Sequence, residues 1–202
     1  MGEFEVAVCS VVRVSVAPAG ERLPVRPLLR REYDALVDAG LLEGAHVELL
    51  DGMMVEMSPQ GGGHARAVRR LNELLMRQVQ PPWAVSVQSS FAAGERSQPE
   101  PDAAVVRESG EALPSVAALA VEVAVSSHHV DLRVKPAVYA AAGVAAYVVV
   151  DLPAGVLRVH TGPTDAEYDE VRVLRAGQPL RRTDPDLVLD LADLLPPPAA
   201  EQ

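Results

Sequence analysis

The stretch "VEVAVSSHHVDLRVKPAVYAAAGV", residues 121–144, decides how the whole chain is read. Its first part lies in the run "ALAVEVAV" at 118–125, apolar at all but one position, as in a strand buried on both faces. Its last part, "VKPAVYAAAG" at 134–143, reads as a helix closed by Gly143. Two residues break the pattern. Glu122 puts a carboxylate inside the apolar run, and Lys135 is the only lysine in 202 residues, every other basic residue being arginine. An ionised carboxylate in such a strand is costly unless a cation or hydrogen bonds compensate it. Where a chain prefers arginine so strongly, a lone lysine asks for a reason. Ammonium is a compact point charge whose pKa moves readily, whereas guanidinium stays protonated.

Two further acids raise the same question. Asp102 stands at the mouth of a short buried strand in "PEPDAAVV", residues 99–106. Glu48 lies within "HVELLDGMMVEM", residues 46–57, which reads as a hairpin turning at Asp51-Gly52. Three acids from three strands could converge at one point on a sheet. That would make an oxygen-rich pocket suited to Mg²⁺ or Mn²⁺. The plainer reading of each acid is structural: a strand glutamate facing solvent, or an aspartate starting a turn.

Elsewhere, "PLLRREYDALVDAGLL" at 27–42 has helical spacing, ending near Gly40. A second helix is expected over about 63–79, with Val68, Leu71, Leu75 and Val79 on one side and Arg66, Arg70 and Arg77 on the other. "WAVSVQSSF" at 83–91 alternates as a strand, and "AAYVVVD", "VLRVH" and "YDEVRVL" follow as strands. "LVLDLADLL" at 187–195 reads as a terminal helix or strand. The class is α/β or α+β with one mixed central sheet. Residues 1–21 read as an N-terminal extension, strand or disordered, 22–195 as one domain, and 196–202 as a disordered tail.

A hydrophobic content of 49% with 23% charged residues is that of a globular protein. No apolar run reaches the roughly 18 residues that span a bilayer, so no membrane partner is expected. The acidic start and the single Cys9 point to a cytoplasmic location. A net charge of −10 argues against indiscriminate nucleic-acid binding. Charge is local, however: residues 61–80 carry four arginines against one glutamate. That stripe is read either as a solvated face or as a DNA contact.

"PD" at 101–102 followed by the strand acid Glu122 resembles the PD-(D/E)XK nuclease superfamily. More narrowly, the chain resembles the Uma-two family of restriction-endonuclease-like proteins. "REYDALVDAGLLEGAHVELLDGMMVEMSPQGGGHARAVRRLNELL", "PEPDAAVV", residues 121–151 and "LVLDLADLL" carry the likeness, from about Pro27 to Leu195. It implies an α/β, restriction-endonuclease-like fold with a central mixed sheet flanked by helices. It also implies Mg²⁺- or Mn²⁺-dependent hydrolysis of DNA, with Asp102, Glu122 and Lys135 catalytic and Glu48, Asp102 and Glu122 as metal ligands. One departure stands out. The lysine expected two residues after Glu122 is absent, Ala124 standing there. Lys135 stands where the family supplies a migrated lysine from the following helix. Pro136 pushes that helix's start towards Lys135 rather than Asp131.

Around this core, Asp131 is expected to orient Lys135, and His64, Arg66 and Arg70 to support the site or touch substrate. For His64, a capping or surface role is the competing reading. "SSHH" at 126–129 offers no metal pair, because adjacent histidines in a strand point to opposite faces. "GGGH" at 61–64 lacks the lysine of a phosphate loop. The alternative to a nuclease is a catalytically inactive relative that binds nucleic acid or protein. A homodimer would suit two-fold DNA, although no sequence feature demands one.

Overall fold

The structure is a computed structural model describing residues 26–57 and 59–195. The expected extension over 1–21 and tail over 196–202 lie outside the described residues.

Helix α1 (Arg30–Asp38) is followed by Gly40 at φ 70° and leads to the hairpin β1 (Val47–Leu50) and β2 (Met53–Glu56). Asp51 and Gly52 both take positive φ, 46° and 80°, the two-residue turn that matches strand twist. Gly52 is fixed there twice over. A Cβ on it would meet Pro27 Cβ at 2.4 Å, and its carbonyl accepts the Leu28 N–H at 2.9 Å. Gly52→Ala is therefore expected to lower the unfolding free energy by about 1–3 kcal/mol in urea denaturation. An unchanged midpoint would show that the turn relaxes freely.

Helix α2 (Gly62–Gln78) buries Val68, Leu71 and Leu75 of the predicted stripe, with Val79 buried just past its end, and also His64 and Ala67. The main sheet follows: β3 (Trp83–Ser86), β4 (Ala103–Arg107), β5 (Ala117–Ala124), β6 (Ala146–Asp151), β7 (Val156–Pro163) and β8 (Tyr168–Leu174). They lie in chain order, antiparallel throughout except for the parallel pair β5–β6. Parallel neighbours need a crossover. Here it carries α3 (Lys135–Ala141), closed by Gly143 at φ 70°. Both β5 and β6 are buried at every position, which is why they read as continuous apolar runs. α2 packs on one face, joined by the hairpin β9 (Leu180–Thr183) and β10 (Asp186–Leu189) and by α4 (Leu191–Leu194). The other face meets α3, Phe91 and Leu50 of β1. The terminal segment is thus both strand and helix.

Two local expectations are corrected, and a third is extended. The strand predicted over 83–91 stops at Ser86, because Gln88 turns the chain at φ 45° and its N–H is taken by the Pro101 carbonyl at 3.2 Å. His128 and His129 lie in the first turn of a helical segment, not in a strand. α3 does begin at Lys135, but a wider π-turn (Val130–Val134) precedes it, closed by Lys135 N–H on the Val130 carbonyl. Pro136 has no N–H to continue an α-helical ladder, and the π-turn takes up that mismatch.

Candidate active site

The sheet register builds the site. Ala103 stands opposite Val121 across β4–β5, so one further step sets Asp102 against Glu122. Cross-strand neighbours project from one face. That face is the one covered by α3, since Ala104, Ala120 and Ala124 pack in its cluster. β1 is held beside the chain that enters β4 by main-chain bonds between Leu49 and Gln98, the shorter being 2.7 Å. Glu48 is thereby turned inward, and its Oε2 accepts the Glu100 N–H at 3.3 Å.

Lys135 reaches into this group from the first turn of α3 and is only 5% exposed. Its Nζ lies 2.8 Å from Glu122 Oε1, 3.1 Å from Glu48 Oε1 and 3.8 Å from Asp131 Oδ1. Asp131, one helical turn earlier, is held in turn. The Tyr147 hydroxyl donates to its carbonyl at 2.8 Å, and Ser127 donates to its carboxylate. Asp102 Oδ2 accepts the Val123 N–H at 2.8 Å and meets His64 Nε2 at 2.9 Å. His64 Nδ1 is buried without a partner among the described residues.

One ammonium cannot neutralise so many acids. Burial pushes the Glu122 carboxyl up, Lys135 pulls it back, and Asp102, Asp131 and Glu48 raise it again, to about 8. Burial likewise raises Glu48 and Asp131 against the pull of Lys135. For Lys135, burial works to lower the pKa, but Glu122, Glu48 and Asp131 outweigh it and hold the ammonium above its ordinary value. The lysine keeps its proton, and the surplus negative charge is relieved by a proton held among the carboxyls, Glu122 above all.

Glu48, His64, Asp102, Glu122, Asp131 and Lys135 all line one cavity of about 340 Å³. The candidates drawn from strands and α3 therefore meet. The two arginines do not line it: Arg66 is exposed on α2, and Arg70 donates to the Leu195 carbonyl. His128 is drawn aside to Asp151, with 3.1 Å between Nε2 and Oδ1. Tyr139 escaped the sequence reading. Its hydroxyl donates to Glu122 Oε1 at 3.1 Å, beside the lysine that it follows by four positions. That spacing, which puts two side chains on one helix face, was the available signal. Tyr139→Phe is expected to lower stability by about 1–3 kcal/mol, since the lost bond serves a buried carboxyl. Urea unfolding checks this, and a change under about 0.5 kcal/mol would deny the hydroxyl its role.

Among the described residues, no three His, Cys, Asp or Glu side chains stand together as the shell of an ion. Lys135 Nζ sits at the centre of the acids instead. The donor chemistry nevertheless fits a hard divalent cation. Asp102 Oδ1 and Glu122 Oε2 accept no hydrogen bond from the described residues. Mg²⁺ commonly binds through only one or two carboxylates, leaving its other positions to water and substrate phosphate.

Comparison with known proteins agrees with this architecture. No curated protein matches the chain. A crystal structure titled as "a putative nuclease belonging to DUF820" from Anabaena variabilis superposes with a TM-score of 0.60 at 14% identity. It covers 73% of this chain and 88% of its own, and at that identity it speaks for the fold alone. The model of the Uma2 family, described as "Putative restriction endonuclease", matches residues 30–192, and the chain belongs to that family.

Proposed function

We propose that this protein is a metal-dependent endonuclease that hydrolyses DNA phosphodiester bonds in the cavity at the β4–β5 ends. The observation that carries the reading is the gathering of Glu48, Glu122 and Asp131, from separate segments, around the single buried ammonium of Lys135, with Asp102 beside Glu122 in the same cavity. A purely structural site gains little from so many buried acids sharing one cation. Asp102 and Glu122 would hold Mg²⁺ or Mn²⁺, with Glu48 assisting. When bound, the ion supplies Lewis-acid polarisation of the phosphoryl group.

The chain's own residues do the rest. The cavity wall carries six acidic residues against one lysine, so it draws cations and repels a bare polyanion. Lys135, holding its proton, is suited to stabilise negative charge on the phosphorane rather than to remove a proton. Asp131 aims the ammonium, and His64 with the Val123 N–H fixes the Asp102 carboxylate. Arg66, exposed on α2, would be the arginine left to meet a flanking phosphate, whereas Arg70 braces the C-terminal segment.

Plasmid nicking with Mg²⁺ or Mn²⁺ tests the proposal. The wild type is expected to cleave, and Asp102→Ala to lose at least about a hundredfold, since even outer partners of metal ligands are worth 10–100-fold. Equal cleavage by both would end it. A net charge of −10 favours a second reading, an inactive nuclease-fold protein that binds nucleic acid or protein. On that reading the wild type binds and never nicks.

A further inference from the structure

Strand β8 forms one edge of the six-stranded sheet, and Asp169 to Val173 are exposed along it. Val171 and Val173 are 57% and 49% exposed, although β-branched side chains in a strand usually find cover. No described residue pairs with its outer side. An unpaired edge of this length is a template for another strand unless something restricts what it accepts.

The Thr164 N–H donates to the Glu167 carbonyl at 2.8 Å, closing the β7–β8 hairpin. Beyond the turn Gly162 at φ 70° interrupts the ladder opposite Asp169, and the strands then run in register, Thr161 opposite Glu170, His160 opposite Val171 and Val159 opposite Arg172.

We propose that the outer edge of β8 is a self-association surface, pairing antiparallel with β8 of a second copy about a two-fold axis through Val171. In that register Glu170 and Arg172 face Arg172 and Glu170 of the other copy. Val171 meets its counterpart at the axis. Within one chain, Arg172 Nε already lies 3.5 Å from Glu170 Oε1, so the two charges sit on the same side of the strand. The order acid-apolar-base reads complementary to itself when reversed. An arbitrary strand would meet unmatched charges there, so the edge excludes strangers and admits its own copy. One strand pair buries less than a standard interface, and the association is accordingly concentration-dependent. Antiparallel edge pairing about such an axis continues the sheet, with α3 of each copy on corresponding faces.

The test needs no catalysis and so stands apart from the nuclease reading. Sedimentation equilibrium of the full chain is expected to show a monomer–dimer equilibrium. Glu170→Arg and Arg172→Glu each place like charges at two symmetric contacts and should weaken dimerisation about tenfold or more. The double reversal should return it to within about threefold of wild type. With Cys9→Ser, Val171→Cys should form a disulfide between copies on mild oxidation, since facing Cα atoms across an antiparallel pair lie about 4.5–5.5 Å apart, within disulfide range. A monomer at every concentration overturns the proposal. So does a dimer indifferent to single reversals, or a photo-crosslinker at 171 that captures residues 1–25 of its own chain.

Discussion

Lys135→Ala is expected to slow plasmid cleavage by about a hundredfold to a thousandfold, while tightening the binding of Mn²⁺. The first effect follows if the ammonium stabilises the charge of the transition state, since removing one preorganised electrostatic donor typically costs about 10²–10³ in rate. The second follows from position. Lys135 Nζ lies 2.8 and 3.1 Å from Glu122 and Glu48, so it competes with any cation for the same oxygens. Calorimetric titration with Mn²⁺ measures this directly. Weaker binding in the variant would mean that the lysine orients the acids more than it competes for them.

Without metal, the same variant should lose about 3–5 kcal/mol of stability, because buried carboxylates are left without their counter-charge. Lys135→Arg separates the remaining roles. Guanidinium can carry charge but hardly exchanges a proton. Since Glu122, Glu48 and Asp131 raise Lys135 above its ordinary value against the effect of burial, the arginine variant should retain measurable cleavage. A complete loss, with Mn²⁺ binding intact, would return proton transfer to consideration.

Glu122→Gln is expected to lower Mn²⁺ affinity at least about tenfold and to remove a pH dependence of stability. Burial first, and then the surrounding acids, hold the Glu122 carboxyl at about 8, above its ordinary value near 4.5. The folded state therefore keeps a proton that the unfolded chain releases. Stability from this group is complete below about pH 4.5 and falls as pH rises through about 8. Urea unfolding in chelator at pH 5 and pH 8.5 should show the wild type losing a few kcal/mol more than Glu122→Gln. Mn²⁺ should restore more stability to the wild type at the higher pH, where the carboxylate is free to bind it. Parallel loss in both proteins would mean that Glu122 is not the group being ionised.

Much of the fold was legible because the patterns were local. β5 and β6 are buried at every position, and only buried strands read as unbroken apolar runs. Asp51-Gly52 declares its turn through positive φ, and Gly143 closes α3 for the same reason. Glu122 and Lys135 could be singled out as anomalies because burial of a charge and retention of one lysine are visible without coordinates.

What the sequence alone determined, then, was which residues needed compensation; what compensates them was decided in three dimensions. The β4–β5 register brings Asp102 to Glu122 from twenty residues away, and the Leu49–Gln98 bridge turns Glu48 inward. Tyr139 joins Lys135 on Glu122 because both ride one helix face, and a π-turn absorbs Pro136 so that the ammonium still arrives. Arg70 looked free on its helix until the C-terminal segment supplied the Leu195 carbonyl. Periodicity records which side of an element is buried, but long-range pairing chooses each polar group's partner, and no local pattern encodes that choice.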